Sequence, residues 1–144
     1  MGLRKSLFIS AMVVALIAGA AAAQNMVTAD SVVVAWDAVS APVDSAGKPY
    51  AGTMKYQTYV RRDTAGATAE KVGEHVGAPT ATVTMPSPGK WWVGVSAIFT
   101  FSGYDNAVKE SAISWSDNPA AVQGGVTFGV IYLPTPASPA GLRK

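Results

Sequence analysis

His75, next to Glu74, is the only imidazole in a chain of 144 residues that has no cysteine at all. Acid–base and nucleophilic catalysis need a reactive group held against a base and an orienting partner. No motif surrounds His75, so it reads as a surface histidine in a short polar strand. The chain contains no Gly-x-Ser-x-Gly, no His-Glu-x-x-His and no phosphate-cradling Gly-Lys-Ser/Thr. Its nine carboxylates are scattered, and the runs Asp44-Ser-Ala-Gly47, Asp63-Thr-Ala-Gly66 and Asp105-Asn106 are turn signatures before anything else. A calcium site needs several such oxygens converging from a loop of set spacing, and none of these runs has it. The expectation is a protein with no catalytic residue, no metal site and no cofactor.

What remains is chemistry by contact. Five aromatics do not fit the inward rows described below: Tyr50 in a long loop, Tyr59 and Trp92 on outward strand faces, and Tyr104 and Trp115 in the segment 101–119. Exposed, these rings would stack on sugars or anchor a protein interface. Each has a plainer reading, because tryptophan is usually largely buried. Trp115 would plug one end of the core, and Trp92 would cover the sheet with its indole.

Charge narrows the partners. Arg4 and Lys5 precede an apolar run over 7–20 and the small residues Ala21-Ala22-Ala23, the layout of a secretory signal peptide, so 1–23 is expected to be removed and a chain starting near Gln24 to be exported. The apolar run is short for a bilayer span, so no membrane span is expected after cleavage. Those two cations belong to the 11 basic residues, which leaves nine basic against nine acidic residues downstream. Beyond Arg61-Arg62 and Arg143-Lys144 no basic cluster appears, and the electrostatic footprint of a nucleic-acid binder is missing. The expected location is secreted, periplasmic or at the cell surface, with a protein or polysaccharide there as partner. Without cysteines an exported domain must be held by its core alone, and roughly 120 residues suffice for one.

The elements that must position these residues are strands. From Trp91 the odd positions Trp91, Val93, Val95, Ala97 and Phe99 are apolar, with Gly94, Ser96 and Thr100 between them, which predicts a strand with one buried face. A strand over 31–39 puts Val32, Val34 and Trp36 on one face. Breakers mark 42–52 as a long loop, after which Met54, Tyr56, Thr58 and Val60 alternate with Lys55, Gln57, Tyr59 and Arg61. A weak strand follows over 70–76, then one over 81–85 with Val83 and Met85 inward; 101–119 reads as polar and irregular, and a last strand spans 126–133. Short strands at even spacing cannot hide their apolar faces alone, so two sheets must pack face to face as an all-β sandwich of about seven strands.

In that order the segments resemble the fibronectin type III domain, an immunoglobulin-like β-sandwich. Ser31-Val-Val-Val-Ala-Trp36 is similar to its second strand with a buried Trp, and Tyr56-Gln-Thr-Tyr-Val-Arg61 to its third. Met85-Pro-Ser-Pro-Gly-Lys-Trp91-Trp-Val-Gly-Val-Ser-Ala97 resembles the Pro-Gly corner leading into the sixth strand, and Glu110-Ser-Ala-Ile-Ser-Trp-Ser-Asp117 the Ser-rich approach to the last. Two departures stand out. Trp91 occupies the place of the corner tyrosine, whose hydroxyl bonds back to the backbone; an indole only donates, so that corner is closed differently or by packing alone. The leading strand is nearly absent, with only 24–30 ahead of Val32.

The resemblance implies a domain over 24–133 followed by a Pro-rich tail, 134–144, for which three readings stay open: a disordered linker, an edge strand of its own domain, or a strand donated to a neighbouring copy in self-assembly. It also implies a non-catalytic, exported recognition, adhesion or extracellular assembly module. The alternative is a carbohydrate-binding accessory domain using Trp92, Trp115 and Tyr104.

Overall fold

A computed structural model describes residues 24–144; the expected leader, 1–23, lies outside the described residues. The described chain is all-β, with strands β1 (Gln24–Thr28), β2 (Ser31–Ala35), β3 (Gly52–Arg62), β4 (Glu70–Val76), β5 (Thr80–Thr84), β6 (Gly89–Phe101), β7 (Ala107–Glu110), β8 (Ser114–Trp115) and β9 (Thr127–Tyr132). They form two sheets. The large one runs β1-β9-β6-β3-β4, and the small one is the antiparallel pair β2-β5. The two pack face to face as a β-sandwich.

β3 and β6 are the spine. They pair without a break from Gly52↔Phe101 to Arg62↔Trp91, so one of the two alternating rows of each strand faces the small sheet. That inner row is the predicted one: Tyr56, Val60, Trp91, Val93, Val95 and Ala97 join Val34, Trp36, Val83, Met85, Phe128 and Val130 in one buried cluster. Trp36 and Tyr56 meet edge to face, with ring centroids 5.3 Å apart. The other long edge of β6 is shared by β9 at Gly89–Trp91, β8 at Gly94–Val95 and β7 at Ile98–Phe101.

Three expectations change. β6 is not a strand with one buried face: every residue from Trp91 to Phe99 is buried. The outer row of small residues, Gly94 and Ser96, lies flat enough for larger neighbours to roof it. A Cβ on Gly94 would sit 2.7 Å from the Trp115 ring and 2.6 Å from Ile113, so that close approach requires glycine. The segment 101–119 is not irregular throughout, since it supplies β7 and β8. Every residue of β7 is exposed and none alternates in polarity, so only pairing to β6 makes it a strand. Finally, the leading strand exists. β1 pairs in parallel with β9 from Gln24↔Thr127 to Thr28↔Ile131, joining the sheet through the last strand.

The corner before β6 closes through the indole. Trp91 is almost wholly buried and donates from Nε1 to the Ser87 carbonyl at 2.9 Å, four residues upstream. Arg62 lies over the same ring, 4.5 Å from its centroid, and reaches Ser87 Oγ at 2.6 Å and the Pro88 carbonyl at 3.2 Å. A donor-only side chain suffices because the group it must satisfy is a carbonyl.

Candidate functional site

The five nominated aromatics separate into two places. Tyr59, Trp92 and Trp115 stand on the outer face of the large sheet, and the structure corrects the expected exposure of the first two, which are 6% and 5% exposed. Alternation does put them outward, but their own neighbours cover them. Trp92 donates from Nε1 to Asp63 Oδ1 at 3.0 Å, and Lys90 crosses its ring 5.2 Å from the centroid while pairing with Asp63 at 2.9 Å. The Lys90 hydrogen bond, more than the Trp92 one, holds the Asp63 carboxyl below its ordinary range. Trp115 is half-buried beside Gly94 rather than plugging the core, and the Arg61 guanidinium lies 4.4 Å over its ring while also pairing with Asp117.

Tyr59 donates its hydroxyl to Glu110 Oε1, and Ser96 Oγ donates to the same oxygen at 2.6 Å. These two bonds, Ser96 first, lower the pKa of Glu110 against the opposing effect of burial. Burial and the Glu110 bond together raise that of Tyr59. Across this face every charge that touches a ring is already paired. A hollow of about 300 Å³ lined by Arg61, Arg62, Asp63, Trp92 and Asp117 therefore holds spent ion pairs rather than free ligand-seeking groups.

Tyr50 and Tyr104 come together at one end of the sandwich. β2 is only five residues long and stops at Ala35, whereas β3 and β6 run on, so the small sheet leaves the far end of their inner face uncovered. The chain leaving β2 passes beside that gap and is held there by Tyr56, whose hydroxyl accepts the Val39 N–H at 2.8 Å. Between this segment and β7 lies a mainly apolar groove of about 210 Å³, lined by Val39, Pro42, Met54, Ala97 and Phe99, with Lys109 to Ser111 as its polar rim.

Phe99 carries the groove into an aromatic chain. It packs on Phe101 at 4.7 Å, Phe101 on Tyr50 at 5.3 Å, and Tyr50 on Tyr104 at 5.9 Å, all edge to face. Tyr104 is 60% exposed. Turn chemistry fixes the two loops that carry the tyrosines. Asp44 Oδ1 accepts the N–H groups of Ala46 and Lys48, each at 2.9 Å, and Gly47 takes φ +81°, as the Asp44 to Gly47 signature predicts. Asp105 and Asn106 take φ of +52° and +53°, bending β6 back into β7.

Met54, Val39, Pro42, Phe99 and Phe101 were not among the expected contact residues. Phe101 continues the odd row of β6 past the last core layer, the one sequence signal that an inner face outruns its cover. His75 is exposed on β4, as expected, and lines a shallow hollow with Lys55, Ile98 and Val108. Among the described residues no group of three or more His, Cys, Asp or Glu side chains could hold a metal ion, and no helix is long and apolar enough to cross a membrane. No protein family, curated protein or solved structure matches this chain.

Proposed function

We propose that the chain is a non-catalytic, exported recognition module of the fibronectin type III kind, and that it grips a protein partner with the end of the sandwich that bears Tyr50 and Tyr104. The observation that carries this is the continuity of the groove with the aromatic chain: an apolar slot wide enough for one aliphatic or aromatic side chain, edged by an exposed tyrosine and a polar rim. Buried aromatic anchors in pockets supply most of the binding energy at protein interfaces, with polar rims excluding water around them. The ordered segments over 31–133, the buried Trp36 and the indole-closed corner support the family reading. A protein partner is favoured over a sugar because both tryptophans nominated for stacking carry a cation on one face.

Selection from a displayed peptide library tests this. Enriched peptides should share one large apolar residue, and Tyr104→Ala should weaken them at least about tenfold, or 1.4 kcal/mol. Thr82→Ala, on the outer face of the small sheet, should leave them unchanged. Peptide binding indifferent to Tyr104→Ala overturns the assignment. A polysaccharide bound in a Tyr104-dependent way, with no peptide selected, would move the function to the carbohydrate reading.

A further inference from the structure

Both edges of the small sheet are unpaired among the described residues, and along β2 itself no charge, proline or bulge interrupts the edge. Outward-facing N–H and C=O groups are a template for another strand, blunted in natural proteins by charge, proline, bulges or cover. β4, at one edge of the large sheet, carries Glu70, Lys71, Glu74 and His75 and a register shift opposite Tyr56 and Thr58. β5 is followed by Pro86 and Pro88, which lack N–H groups. β1 is already a parallel strand added to β9. β2, Ser-Val-Val-Val-Ala, has no charge, proline, glycine or bulge.

Register decides which groups β2 offers. Trp36 donates to the Pro79 carbonyl at 3.0 Å and Met85 donates to the Asp30 carbonyl at 2.8 Å, so the even positions 30 to 36 turn their backbone groups toward β5. By the alternation of an antiparallel pair, Ser31, Val33 and Ala35 turn theirs away, to the open edge. Val33 is the middle of the three, and its side chain is 62% exposed on the outer face.

We propose that β2 pairs with β2 of a second copy of this chain, antiparallel about a two-fold axis at Val33, extending the small sheet to β5-β2-β2-β5. In that register Val33 meets Val33 of the second copy, and Ser31 meets its Ala35 on either side. All the outward groups of both strands are then bonded, as a self-complementary isologous contact requires. The charges at the ends of β2 agree with the register. Asp30 falls opposite Trp36 and Asp37 opposite Ala29, so no two acids face each other. A contact of five residues per copy is small beside a stable interface, so the dimer is concentration-dependent. Because β2 leads into the groove-lining segment, antiparallel pairing sends the two aromatic ends in opposite directions, which makes a bivalent recognition unit.

Sedimentation of the full chain across concentration tests the pairing. The expected result is reversible doubling of mass. Val33→Lys sets two ammonium groups against each other at the axis, and should raise the dissociation constant at least about tenfold. Val33→Pro removes an N–H that no intramolecular bond uses, and should do the same without unfolding the chain. Because the protein has no cysteine of its own, Val33→Cys should cross-link dimers under mild oxidation. Hydrogen-bonded antiparallel neighbours sit about 5.5 Å apart at Cα, within disulfide reach. Thr82→Cys on β5 should not cross-link. A chain that stays monomeric at all concentrations overturns the proposal. So does a dimer that persists in Val33→Lys, or one that cross-links equally through Thr82→Cys.

Discussion

Trp91 shows how one atom's donor character fixes a corner. Its Nε1 reaches back to the Ser87 carbonyl, its ring fills the inner row, and Arg62 lies over its face. Trp91→Phe keeps a ring in the core while removing the donor and part of the volume. It should cost about 1–3 kcal/mol, from one net hydrogen bond and a small cavity, measured as a fall in urea midpoint at unchanged slope. The sequence carried the position of this residue and the fact that an indole cannot accept. That the carbonyl of Ser87 would be its partner depends on the turn at Pro88-Gly89, where Gly89 takes φ +147°. Tyr59 and Trp92 teach the converse. Their outward direction was legible from alternation, their burial was not, because the groups on them, Lys90 at Trp92 and Glu110 at Tyr59, sit at charged positions that normally point to water.

At the scale of elements, β7 is a strand that sequence alone does not reveal, and Glu110 is what clips it down. Its carboxylate accepts from Ser96 and Tyr59 across the outer face of β6. These bonds depress its pKa in the folded chain. A depressed carboxyl contributes stability that is fully present above its unfolded value of about 4.3 and is lost as pH falls through the lower folded value. Acidification below about pH 4 should therefore loosen β7 first, which amide exchange at 107–110 would detect. Glu110→Gln should remove that acid-side dependence while leaving the neutral-pH fold intact, and a wild-type acid profile retained in the variant would refute the clip. The two-stranded sheet is the other element with a distinct character. It is short, β-branched and uncharged along β2, which makes it both the lid of the core and the edge where a second copy docks.

The whole molecule is held without cross-links, and its stability therefore rests on a single cluster spanning both sheets. Phe128, from the last strand, packs into it almost completely buried. Phe128→Ala should cost about 3–5 kcal/mol, a large part of the 5–15 kcal/mol typical of a domain, and should lower the thermal midpoint in one cooperative transition monitored by tryptophan fluorescence. Two separate transitions would mean that the sheets are not one cooperative unit. The mismatch in sheet size shapes the surface at this scale. A seven-stranded sheet whose β3 and β6 run 11 and 13 residues faces only two strands of five, and the part of the inner face beyond them is where Met54, Ala97 and Phe99 line the groove.

Composition and alternation by themselves determined the all-β class, the inner rows of β3, β6 and β9, the turn signatures, and the absence of catalytic motifs, because each of these is written in residues adjacent or two apart along the chain. Tertiary structure decided which outward aromatics are covered, where β1, β7 and β8 pair, how the corner closes, and that Tyr50 and Tyr104 share one end with a groove. Those outcomes depend on strands meeting across dozens of residues, and on how far one sheet outruns the other. A local period of two carries no information about either.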